Sequence, residues 1–111
     1  MTPLIVLTTV GAAFDVTALA RQLVEQRLAA CVNIVPRIES VYRWQGRIET
    51  ESEQLLLIKT SRERLDALRD ALLARHPYEV PEFMVIQPDE IAEPYRAWLV
   101  ASLESPSPAR G

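Results

Sequence analysis

One cysteine, one histidine and three glycines in 111 residues leave several chemistries without their usual parts. A lone Cys31 makes no internal disulfide, metal knuckle or redox pair, which suits a reducing compartment. Its neighbours in LAACVNIV, residues 28–35, are mostly apolar, the setting of a buried inert thiol rather than a reactive one. With only three glycines, one of them the last residue, the chain has no Gly-rich phosphate loop. The single histidine has no serine or cysteine beside it to activate, so the sequence points away from an enzyme. Basic excess is missing too. Twelve Lys and Arg stand against fifteen Asp and Glu, and a net charge of −3 disfavours a nucleic-acid groove. No apolar run approaches the ~20 residues of a membrane span, and MTPLIVLTTVGAAFD has no basic start like that of a signal peptide. These absences lead to the expectation of a soluble, cytoplasmic protein with neither nucleic acid nor membrane as a partner.

What is present is globular. Apolar residues make up 49% and charged residues 24% of the chain, enough core for one domain over residues 1–104, with SPSPARG at 105–111 as a frayed tail. Residues 4–10, LIVLTTV, suit a strand buried on both faces. Leu19, Leu23, Val24 and Leu28 follow helical spacing after Asp15, a ready cap, so a first helix is expected from about Val16 to Leu28. Residues 30–44 and 47–59 then read as two strands turning at Gln45-Gly46, with Pro36 tolerable only at an edge or bulge. Thr60 and Glu63 have capping-box spacing before a second helix whose stripe is Leu65, Leu68, Leu72 and Leu73, ending near Arg75 before Pro77. FMVI at 83–86 is a short last strand, and a closing helix spans Glu93 to Leu103 with Pro94 as its first helical residue. The order β, α, β, β, α, β, α is the split βαβ plan of a ferredoxin-like α+β sandwich, extended by a C-terminal helix.

The hairpin is too long for one such body. Arms of thirteen to fifteen residues reach roughly 45 Å at ~3.3 Å per residue, against about 35 Å for a domain with a radius of gyration of ~13 Å. A projecting ribbon carrying Ile38, Val41, Tyr42, Trp44 and Ile48 leaves apolar side chains and strand edges open, which predicts a homo-oligomer made by strand pairing.

Candidate chemistry gathers in HPYEVPE, residues 76–82. Imidazole is the commonest transition-metal ligand, so His76 with Glu79 and Glu82, completed by copies in an oligomer, is a candidate metal site. As the plain alternative, His76 closes the second helix and hydrogen-bonds locally. Pro77 and Pro81 stiffen the connection and aim Tyr78 and the two glutamates. Lys59 and Glu82 either pair across the sheet or contact a ligand. Glu51 and Glu53 share one strand face, where they keep it wet or hold a cation. Tyr42 and Trp44 on the hairpin, with Ile48, and Tyr95 and Trp98 on the last helix, have the character of interface residues.

The segments LVEQRLAACVNIVPRIESVYRWQGRIETESEQLLLIKT (residues 23–60), HPYEVPE, and the pair Tyr95 and Trp98 resemble the CutA family of divalent-cation tolerance proteins. The resemblance implies a ferredoxin-like subunit in a trimer whose hairpins pair between subunits, with a PII-like architecture and clefts between subunits. It also implies a role in divalent-cation tolerance with binding of Cu(II) or a similar cation, and no required cofactor. Thr8 stands where some members place a cysteine proposed to bind copper, so that ligand is not carried here. An alternative is a PII-like trimer whose intersubunit clefts bind a small anion or nucleotide. Lys59 with Arg43 or Arg37 would supply charge in such a cleft, and Tyr78, Trp44 and Glu53 would line it.

Overall fold

The computed structural model describes residues 1–104; the expected tail at 105–111 lies outside them. Strand β1, Pro3–Gly11, is central, and the sheet order is β2-β3-β1-β4, antiparallel throughout. Leu4, Val6, Thr8 and Val10 are fully or almost fully buried on one face, whereas Ile5, Leu7 and Thr9 on the other are half-covered. β1 is thus not buried on both faces, because the helices pack against one side of the sheet only.

Helix α1, Val16–Glu25, starts where Asp15 Oδ1 accepts a hydrogen bond from the Ala18 amide at 3.1 Å. It stops three residues before the expected Leu28. Arg27 takes a positive φ of 58°, and the Leu28 and Ala29 amides turn back to the Leu23 carbonyl. Strands β2, Cys31–Trp44, and β3, Arg47–Ser61, meet at Gln45 and Gly46, whose φ values of 50° and 80° are those of a two-residue hairpin turn. The register shifts between Val35 and Ile38, so Pro36 sits in a bulge on an edge strand, where its missing N–H costs no ladder bond.

No capping box opens the second helix. The Thr60 hydroxyl donates to the Leu28 carbonyl at 2.7 Å, and Glu63 Oε1 accepts from the Thr2 amide at 3.0 Å. Both side chains tie distant strands, and a 3-10 turn, Arg62–Arg64, leads into α2, Leu65–Arg75. β4, Met84–Ile86, pairs with β1, and α3, Glu93–Leu103, has Pro94 as its second residue rather than its first. Arg64 and Arg27 donate to the Leu103 and Ser102 carbonyls at 2.7 and 3.0 Å, satisfying the last carbonyls of α3.

The core lies between the sheet and α1 and α2. Leu4, Val6, Leu56 and Ile58 meet Leu19, Leu23, Leu68 and Leu72, all at most 2% exposed. The opposite face carries Ile5, Leu7, Leu55, Leu57, Met84 and Ile86, none of them fully covered. Beyond the Gly11–Glu53 pair β1 ends, so Ile38–Trp44 and Arg47–Glu53 continue as a two-stranded ribbon. The molecule is therefore 56 Å long but only 30 by 22 Å across, with a radius of gyration of 15.5 Å against ~13 Å for a compact chain of this size.

Candidate functional site

The ribbon and the HPYEVPE connection enclose a groove of about 780 Å³. Cross-strand pairing builds one wall. Tyr42 faces Glu49 and Ser40 faces Glu51, and period-two alternation brings Trp44 and Glu53 to the same side. Pro77 to Val80 and Glu82 form the other wall, and Thr9 completes the lining.

Three contacts fix the connection, and one of them crosses the groove. His76, just past α2, receives the Tyr78 amide on Nδ1 at 3.1 Å, so Nε2 carries the proton and donates to the Thr9 carbonyl at 2.9 Å. The Tyr78 hydroxyl then reaches across the groove and donates to Glu53 Oε2 at 2.7 Å. Burial pushes the His76 imidazole below its ordinary value, and the Thr9 carbonyl and the Glu53 charge offset part of that loss. Tyr78 is held well above the usual phenol range, first by burial, then by its bond to Glu53 and by the charges of Glu53 and Glu51. Tyr42 is raised in the same sense, by lost hydration and then by Glu51.

Every charged side chain lining the groove is a carboxylate: Glu49, Glu51, Glu53, Glu79 and Glu82. Lys59 is not among them. It bonds Asn33 Oδ1, lies roughly 20 Å along β3 from Glu53, and makes no ion pair with Glu82 among the described residues. Arg43 alternates away from Tyr42 and Trp44, and neither it nor Arg37 lines the groove. Of the expected cleft set, Tyr78, Trp44 and Glu53 come together, and the two cations do not. An anionic ligand finds no counter-charge in this wall.

Glu79 and Glu82 line the groove, while both His76 nitrogens are already engaged. Among the described residues no three His, Cys, Asp or Glu side chains converge in one chain. Tyr95 and Trp98 lie side by side on α3 with centroids 5.4 Å apart and ring planes tilted by 36°, and both stay exposed, as do Ile48 and Trp44. Glu49, Ser40 and Thr9 escaped sequence reasoning. Extending the alternation by one step from Glu51 finds Glu49, whereas Thr9 needs the β1–β3 register.

The profile of the CutA1 divalent ion tolerance protein family matches residues 4–102, nearly the whole described chain. The chain belongs to the CutA1 family. Protein CutA of Homo sapiens is 45% identical over 89 residues, 80% of this chain and 50% of its own length. The divalent-cation tolerance protein CutA of Thermus thermophilus is 44% identical over 95 residues, 86% of this chain and 92% of its own. The chain thus spans about half the length of the human relative and nearly all of the bacterial one. Protein CutA, chloroplastic, of Arabidopsis thaliana is 46% identical over 81 residues, 73% of this chain and 44% of that protein. The solved CutA of Synechococcus elongatus superposes with a TM-score of 0.87 at 45% identity, covering 93% of this chain and 91% of that one. The four-stranded antiparallel sheet and three helices of this chain thus form the α+β fold of that solved CutA.

Proposed function

We propose that the chain serves divalent-cation tolerance by binding the cation, without catalysing a reaction, as a ferredoxin-like cytoplasmic homotrimer. The observation that carries this is the groove: its charged lining is acidic throughout, and walls of one sign raise the local concentration of the opposite ion. No helix among the described residues is long and apolar enough to cross a membrane.

Glu79 and Glu82 supply hard oxygen ligands, and His76 supplies imidazole for Cu(II) or a similar ion if Nδ1 gives up the Tyr78 amide. One chain does not complete the set, so a neighbouring copy provides the rest. Self-association is supported by the half-covered sheet face and the two edge strands, β2 and β4. Tyr42, Trp44, Ile48, Tyr95 and Trp98 are the apolar contacts we assign to it.

Calorimetric titration of Cu(II) in a non-chelating buffer tests the reading, with wild-type protein, His76→Ala and Glu79→Gln/Glu82→Gln compared at confirmed equal mass. We expect saturable binding that both variants weaken at least tenfold. Binding unchanged in both removes these residues from the site.

A further inference from the structure

We propose that the ribbon is hinged where it leaves the body, and that Glu53 and Gln54 hold it from opposite sides and so set the width of the groove; this goes beyond the cation reading, and its test needs no metal. The strand pairing locates the hinge. β1 makes its last pair at Gly11 and Glu53, so from there on β3 has only β2 beside it. At the same level the register of β2 slips: Val35 faces Leu55 and Ile38 faces Glu53, which leaves Pro36 and Arg37 against Gln54 alone. A bulge of two residues against one interrupts the ladder and bends the strand, and Pro36 has no N–H with which to restore a bond. The sheet narrows and its ladder weakens at one cross-section, which is where a domain extension turns most easily.

Neighbouring residues of a strand point to opposite faces, and residues 53 and 54 use both. Glu53 faces the groove, where the Tyr78 hydroxyl donates to it at 2.7 Å. Gln54 faces the helices and is 7% exposed. Its Nε2 donates to the Gly11 and Phe14 carbonyls at 2.9 and 3.0 Å, with the Ala12 carbonyl at 3.4 Å. All three carbonyls belong to the turn between β1 and α1. An amide nitrogen has two hydrogens, so the whole donor capacity of Gln54 goes to this one turn.

The core alone does not call for this side chain. Leu56 and Ile58, the next residues of β3 on the same face, fill it with hydrocarbon, and an amide buried at that depth is tolerated only because its bonds are made. What the amide adds is a tie from the first residue of the hinge to the body. Two opposed ties give the motion a sign. With Gln54 released, the Tyr78 bond remains and draws the ribbon toward the connection; with Tyr78 released, Gln54 draws it toward the helices. Arg43, paired with Ile48, lies about 16 Å beyond Glu53 at ~3.3 Å per residue, so a turn of ~10° carries it about 3 Å.

The test is a pulsed electron-resonance distance between spin labels at Arg43→Cys, on the ribbon face away from the groove, and Thr17→Cys, exposed on α1, in a Cys31→Ala background. Labelled chains are diluted with unlabelled ones so that an oligomer holds one pair. Gln54→Met keeps the length of the side chain and removes its donor, and should lengthen the mean distance by about 3 Å, the displacement of a ~10° turn. Tyr78→Phe should shorten it by a similar amount. Thr60→Val is the control. It deletes a buried donor on the same face of β3 at the far end of the body, so it lowers stability without touching the hinge and should leave the distance unchanged. An unchanged distance in Gln54→Met, shifts of the same sign in Gln54→Met and Tyr78→Phe, or an equal shift in Thr60→Val each overturns the proposal.

Discussion

Tyr78→Phe deletes one oxygen and leaves the ring, and its cost follows from the single bond that joins the two walls of the groove. The Tyr78 hydroxyl reaches Glu53 Oε2 at 2.7 Å, and Glu53 is 6% exposed, so the lost donor is replaced only by water entering from the groove side. A hydrogen bond to a charged group contributes about 1.5–3 kcal/mol, and partial access of water favours the lower half, about 1.5–2 kcal/mol. Guanidinium unfolding at fixed protein concentration reads the loss as a lower midpoint with unchanged slope. Tyr78→Phe, Glu53→Ala and the double variant then form a cycle, because Glu53→Ala alone removes the charge that needs the donor. We expect a coupling of about 1.5 kcal/mol, with the double variant less damaged than the sum of the singles. A coupling below about 0.5 kcal/mol refutes the claim that this bond latches the connection to the ribbon.

Two further outcomes are expected. His76 is held neutral below its ordinary value, so the unfolded chain, titrating near 6.5, binds the extra proton first as pH falls. The stability this supplies is full above about pH 6.5 and is lost as pH drops through the lower folded value; His76→Asn should therefore show a shallower loss than wild type between pH 7 and 5, and parallel curves would contradict it. Thr8 is fully buried and its hydroxyl has no partner among the described residues, so Thr8→Val should raise the unfolding midpoint, by an amount equivalent to about 1 kcal/mol, and a lower midpoint would mean that the hydroxyl has a partner.

Local signals in the chain were readable one by one. Asp15 caps α1, Gln45-Gly46 turns the hairpin, Pro36 sits at its bulge, and α2 ends at Arg75 before Pro77. Each depends on a few neighbouring residues and on backbone geometry that acts at short range. Misreadings arose where a side chain left its neighbourhood. Thr60 and Glu63 have capping-box spacing, yet the first bonds Leu28 and the second Thr2. Arg27 ends α1 by adopting a left-handed conformation that its residue type does not announce. Lys59 and Glu82 have opposite charges, but β3 carries Lys59 to Asn33 at the far end of the sheet.

The candidate site divides the same way. Alternation along β3 made Glu51 and Glu53 co-facial from sequence alone, and the excess length of the arms already required a projecting ribbon. Those properties are one-dimensional, set by the two-residue period and the fixed rise of a strand. Tertiary structure alone decided that β1 ends at Gly11, opposite Glu53, and that the ribbon leaves the body there. It also decided that Tyr78 bridges to Glu53 across 25 positions of sequence, and that Lys59 and Arg43 stay out of a groove whose charges are all negative. Chain geometry specifies which side chains share a face; only packing of the connection against the ribbon specifies which faces meet, and so the sign of the charge a ligand encounters.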